Sequence, residues 1–189
     1  MLESNIEKIA KIASSWWSDV ISNPKMDNGD NSKEGQFFAL LSKLHTIKLN
    51  PEEQKRFKYE LYNIIINKIK DFDDLETLWL DVDYAPNTYL TQAADAAHIN
   101  YKNFPIKTTM SITKHCIRVR YGYGANIKIL YADKFFYENE IKSCKEAIKD
   151  YNSREDKYFD FVSREELIKL QENKINQYEK DLKNLDKGE

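Results

Sequence analysis

Two pairs of like charges, Asp81/Asp83 and Arg118/Arg120, have the spacing in this sequence most suited to chemistry. Side chains two residues apart on a strand share a face, so each pair can act on one ligand. Paired carboxylates can hold Mg²⁺, and paired guanidinium groups suit phosphate or carboxylate. A metal needs more ligands than two carboxylates, and His98 and His115 stand in different contexts with no Glu beside them. If the strand bearing the aspartates pairs with the hairpin bearing the arginines, the four side chains face one another as cross-strand ion pairs. That pairing, rather than a metal site, is the expectation. No serine lies in a nucleophile elbow, and Gly122-Tyr123-Gly124 lacks both the third glycine and the following helix of a dinucleotide site. Asp27-Asn28-Gly29-Asp30-Asn31 resembles half of a calcium loop, but the glutamate needed at its twelfth position is Phe38. The expectation is a non-enzymatic protein with no cofactor.

The stretch from Ala96 to Ala132 contains no Asp or Glu, yet carries Lys102, Lys107, Lys114, Arg118, Arg120 and Lys128. Lys107, Arg118, Arg120 and Lys128, with Tyr121 and Tyr123 interleaved, are the candidate binding residues. Cations meet phosphates and rings stack on bases, so such a set can take a nucleotide or a nucleic-acid backbone. The competing reading makes the aromatics core and leaves the cations solvated or paired with the acidic run Asp71–Asp83.

Composition limits the wider possibilities. The 29 basic and 31 acidic residues nearly cancel, so no global field drives the chain onto nucleic acid or membrane. A hydrophobic content of 41% and an aromatic content of 13% fit a folded chain with a real core. Cys116 and Cys144 form no CxxC pair, which speaks against a disulfide framework or a zinc site. No apolar run approaches the roughly 18 residues of a membrane span, and the amphipathic, charged Met1–Ala13 is not a signal peptide. A reducing cytoplasm is the expected location.

The elements that must position these side chains are legible from periodicity. Ile6, Ile9, Ala13, Trp16, Trp17, Val20 and Ile21 predict an amphipathic helix capped by Ser4 or Asn5 and ending near Asn23-Pro24. A polar loop, Pro24–Lys33, and a helix with Phe37, Phe38, Leu41 and Leu44 follow. Asn50, Pro51 and Glu53 then open a helix whose stripe is Phe57, Leu61, Ile64, Ile65 and Ile69. Leu78, Leu80, Val82 and Tyr84 alternate with Trp79, Asp81 and Asp83 as a strand. Asn87 caps an alanine-rich helix through His98. A hairpin follows, with Met110 and Ile112 on one arm, Ile117, Val119, Tyr121 and Tyr123 on the other, and Lys114-His115 at its tip. Ile127, Ile129 and Tyr131 suggest one more strand.

From Asp133 the pattern is helical. Tyr137, Ile141, Cys144, Ile148 and Tyr151 form one heptad seam. A Ser163/Glu166 capping box opens a second, with Ile168, Gln171, Ile175, Tyr178, Leu182 and Leu185. The expected fold is α+β: N-terminal helices packed on a small, mostly antiparallel sheet, with a C-terminal antiparallel helical hairpin. The expected division is a core domain over residues 1–131 and the hairpin over 132–189.

The pieces SSWWSDVI, DVDYAPNTYLTQAADAAHI, FPIKTTM and YGYGA, in this order over residues 10–131, resemble small accessory proteins carried by phages and mobile elements of low-GC Gram-positive bacteria. Such proteins include inhibitors of host defence, notably type II anti-CRISPR proteins that bind Cas9. The resemblance implies a phage-encoded inhibitor acting in the host bacterial cytoplasm on a nuclease effector such as Cas9. A nucleotide sponge or nucleic-acid-binding module, and a coiled-coil dimer built on the C-terminal heptads, are the alternatives. From Ala132 to Glu189 the acids number fifteen and the bases twelve, so the tail makes a poor DNA mimic.

Overall fold

Alternation along three short strands turns one face of a sheet into a wall of the core and leaves the other partly exposed. The computed structural model describes residues 4–23, 47–74, 76–122, 125–154 and 162–187. The polar loop Pro24–Lys33 and the helix expected around Phe37 to Leu44 lie outside the described residues. The chain divides into two compact units, Met1–Tyr131 and Ala132–Glu189. Among the described residues the architecture is α+β.

The first unit opens with helix α1, Asn5–Ser22, started by a reciprocal capping box between Ser4 and Glu7. Helix α2, Pro51–Ile69, starts with the same device between Asn50 and Glu53, with Pro51 pre-set at the first turn. Strand β1, Leu78–Val82, leads into helix α3, Thr88–Ala97, capped by the Asn87 side chain. His98 ends α3 in the left-handed region at φ 59°. A short 3₁₀ turn, Tyr101–Asn103, precedes strands β2, Thr108–Ile112, and β3, Cys116–Arg120, and strand β4, Lys128–Ala132, runs across the division after Tyr131. The sheet order is β1-β2-β3-β4, with β1/β2 and β2/β3 antiparallel.

Leu78, Leu80 and Val82 of β1, Met110 and Ile112 of β2, and Ile117 and Val119 of β3 join Trp17, Ile21, Phe57, Leu61, Ile65 and Leu90 from the helices in one buried cluster. Burying each such side chain stabilises the fold by about 1.5–3 kcal/mol. Ala93, Ala94 and Ala97 of α3 are also buried, and their small size lets the helix approach closely. Asn103 is a buried polar tie: its Nδ2 donates to the carbonyls of Ile47 and Ile21, and its Oδ1 accepts from the Ile47 N–H.

The hairpin between β2 and β3 turns at Lys114-His115 without a glycine or asparagine. The Thr113 hydroxyl takes their place by accepting from the N–H groups of His115 (3.2 Å) and Cys116 (3.0 Å). The start of α1 is tied to this region. Asn5 donates to the Lys114 carbonyl at 2.7 Å and accepts from the Tyr131 hydroxyl at 2.5 Å, and Lys8 lies over the Tyr131 ring.

In the second unit, helix α4, Lys134–Ser153, and helix α5, Arg164–Asp186, pack together. Lys134 at the start of α4 meets Asp186 at the end of α5, and the Arg164 guanidinium donates to the Arg154 carbonyl at the other end, so the pair is antiparallel. The Ser163/Glu166 capping box is formed. Tyr178 packs edge-on to Phe136, and its hydroxyl donates to Glu140. The seam is only partly covered, since no residue of α5 is buried.

Candidate binding face on the sheet

The solvent face of β1, β2 and β3 presents two rows of side chains fixed by the strand register. Trp79, Ser111 and Arg118 form one row; Asp81, Thr109 and Arg120 form the next. The strand order overturns the expected cross-strand pairing of the aspartates with the arginines. β1 pairs with β2, so Ser111 and Thr109 stand between the acidic and basic strands. Two inter-strand spacings separate Asp81 from Arg120, roughly 10 Å between backbones. The small residues of β2 form the floor between an acidic wall and a basic one.

Beyond the second row, Asp83 finds its ionic partner in Lys107, from the loop entering β2, rather than in an arginine. Lys107 sits in the left-handed region at φ 56°, which turns its N–H to the Asp83 carbonyl at 3.2 Å. Its ammonium also lies 4.2 Å from the centre of the exposed Tyr84 ring. The hydrogen bond to Asp83 is the main reason its pKa lies above the ordinary lysine value. Asp81 is held from the other side, accepting from Asn87 Nδ2 at 3.0 Å.

Asp81, Asp83, Lys107, Thr109, Arg120 and Gly122 thus line an open cleft of about 560 Å³. Gly122 adopts φ 93°, a conformation that a Cβ would penalise, where the chain leaves β3. Trp79, 55% exposed, stands beside the cleft at a solvent-facing strand position. A large apolar side chain at that parity was the signal available in the sequence, and it marks an interaction surface better than the tyrosines do.

The candidate residues are distributed unevenly. Lys107 and Arg120 line the cleft, and Arg118 lies one row along. Lys128 is exposed on β4. Tyr121 is on the opposite side of the sheet, its ring 5.7 Å from Trp16 and edge-on to it, so it does not offer a stacking surface beside the arginines. Its hydroxyl is buried with no hydrogen-bond partner among the described residues, and burial pushes its pKa up to about 12. Tyr123 lies outside the described residues.

Other chemistry-bearing groups are accounted for structurally. His115 reaches Asp74 at 3.4 Å, tying the hairpin tip to the loop after α2. Cys116 and Cys144 are buried free thiols. Among the described residues no group of three or more His, Cys, Asp or Glu side chains could hold a metal ion, and no helix is long and apolar enough to cross a membrane.

Compared with known proteins, the chain matches no family model and no curated sequence.

Proposed function

We propose that this protein is a non-enzymatic inhibitor that works by protein–protein contact, with a bacterial nuclease effector such as Cas9 as its target. The observation that carries the binding mode is the mixed charge of the sheet-face cleft, where Asp81 and Asp83 share one lining with Lys107 and Arg120. A phosphate backbone is repelled by the two carboxylates. Lys107, one of the cations that would attract it, is already engaged by Asp83. Binding to nucleic acid draws on several cations that neutralise phosphates and release counterions, and this face offers few. A protein surface with charges of both signs complements it better, and the exposed rings of Trp79 and Tyr84 supply the aromatic anchors typical of such contacts. The nuclease target rests on the resemblance of the core motifs to phage accessory proteins.

The test pairs two titrations at about 150 mM salt, near physiological ionic strength. The protein is titrated against a purified type II effector–guide complex, with DNA cleavage as the second readout, and against labelled duplex and single-stranded DNA. The expected result is saturable binding to the effector with loss of cleavage, weakened in a Trp79→Ala/Arg120→Glu variant. Tight binding to free DNA with none to the effector would overturn the proposal in favour of a nucleic-acid-binding module.

A further inference from the structure

The sheet face that carries the cleft is its own electrostatic complement. In each row the acidic or aromatic residue is on β1, the small residue on β2 and the arginine on β3: Trp79, Ser111, Arg118, then Asp81, Thr109, Arg120. A two-fold axis laid along β2, in the plane between two facing sheets, exchanges the β1 and β3 sides and keeps each row in place. It sets Asp81 of one copy opposite Arg120 of the other, twice by symmetry. It also brings Trp79 of each copy over the Arg118 position of the other, an arrangement suited to cation–π contact. Ser111 and Thr109 meet themselves at the axis, where small side chains let the sheets approach to about 10 Å, the usual spacing of stacked sheets. Isologous contacts of this kind are the commonest basis of homodimers.

The free edge of β1 offers no competing route. The outward carbonyls of Trp79 and Asp81 already accept from the Asn87 side chain and backbone N–H. A strand whose edge acceptors are occupied is a poor template for edge-to-edge pairing. Pairing through the β1 edge is therefore disfavoured.

We propose that this face docks a second copy of the chain, with Asp81 of each copy paired to Arg120 of the other. The pairing needs no target protein, so its test stands apart from the inhibitor reading. It also implies that target binding on the same face would compete with self-association.

Sedimentation velocity on the full chain over a wide concentration range decides the matter. The wild type should show a concentration-dependent monomer–dimer equilibrium. Asp81→Arg places two arginines opposite each other and Arg120→Asp two aspartates, so each variant alone should dimerise at least tenfold more weakly. Mixed together they should recover a heterodimer, because both contacts then join Arg to Asp, and the Asp81→Arg/Arg120→Asp double variant should recover a homodimer. Circular dichroism melts on the same samples check that the single variants fold. A wild type that stays monomeric at every concentration would overturn the proposal. So would single variants that dimerise as tightly as the wild type, or a mixture that stays monomeric.

Discussion

Asn87 holds Asp81 at two points, its backbone N–H donating to the Asp81 carbonyl at 2.9 Å and its side-chain Nδ2 donating to the carboxylate at 3.0 Å. The same amide nitrogen donates to the Trp79 carbonyl at 2.8 Å, while Asn87 Oδ1 accepts from the Leu90 N–H and caps α3. One side chain therefore starts a helix, seals a sheet edge and orients a carboxylate of the cleft. Asn87→Ala should cost about 1–2 kcal/mol in urea denaturation, the range for a lost cap. Asn87→Ser keeps a cap oxygen but loses the amide donors, so it should fall between alanine and wild type. A serine variant as stable as the wild type would show that the edge bonds contribute nothing.

Lys107 is held in a conformation that costs a non-glycine residue about 1–2 kcal/mol. Replacing it separates backbone from charge. Lys107→Ala loses the contacts to Asp83 and Tyr84 but keeps the backbone penalty, while Lys107→Gly loses both. Glycine should therefore be the more stable of the two variants by about 1 kcal/mol, read from their denaturation midpoints. Equal stabilities would mean that the loop relaxes out of the left-handed region once the ion pair is gone.

Two tyrosines, Tyr121 and Tyr101, are held protonated beyond the ordinary tyrosine range. Tyr121, raised to about 12 by burial of its hydroxyl, should ionise late by phenolate absorbance. Tyr101 should also lag, because its hydroxyl donates to Asp95 at 2.6 Å and that bond favours the protonated form. The linkage has one sign. Between the ordinary tyrosine value near 10 and about 12 the unfolded chain loses the Tyr121 proton before the folded chain does. Stability should therefore fall as pH rises through that window, and Tyr121→Phe should flatten the fall. A late-ionising phase that persists in Tyr121→Phe would refute the assignment.

Asn103 satisfies backbone groups of Ile21 and Ile47 from a position only 1% exposed. Asn103→Ala removes its donors and its acceptor together and leaves the buried Ile21 carbonyl and the part-buried Ile47 groups unpaired, at about 1–3 kcal/mol for a fully buried group. The thermal midpoint should drop by several degrees. Asn103→Asp keeps the acceptor but buries a carboxylate and turns it toward the Ile21 and Ile47 carbonyls, so it should be no more stable than the alanine variant.

The chain ending at Ala132 should unfold cooperatively by itself, because among the described residues the buried cluster of the first unit draws on none beyond Tyr131. Its melting curve should be a single sharp transition. An insoluble or gradually melting product would show that α4 and α5 are needed for the core.

The helices and strands of this protein are written locally. The Ser4/Glu7, Asn50/Glu53 and Ser163/Glu166 boxes are read within four residues, and the stripes through Trp17, Phe57 and Leu61 are read within a few turns. Alternation assigned Met110, Ile112, Ile117 and Val119 to the buried face for the same reason, since a period of two depends only on backbone geometry. Period two names a face but not a neighbour. That β1 lies beside β2 rather than β3 follows from how the whole chain packs, and it placed Thr109 and Ser111 between the acids and the arginines. It also gave Asp83 to Lys107 and Asp81 to Asn87. Tyr121 shares the aromatic character of a binding residue, but the helix that covers its face decides its role, and that helix brings Trp16 against it. Asn103 reads in the sequence as a loop residue. Its importance arises because folding brings it to partners 56 and 82 residues away, the farther of which would otherwise hold a buried carbonyl without this hydrogen bond.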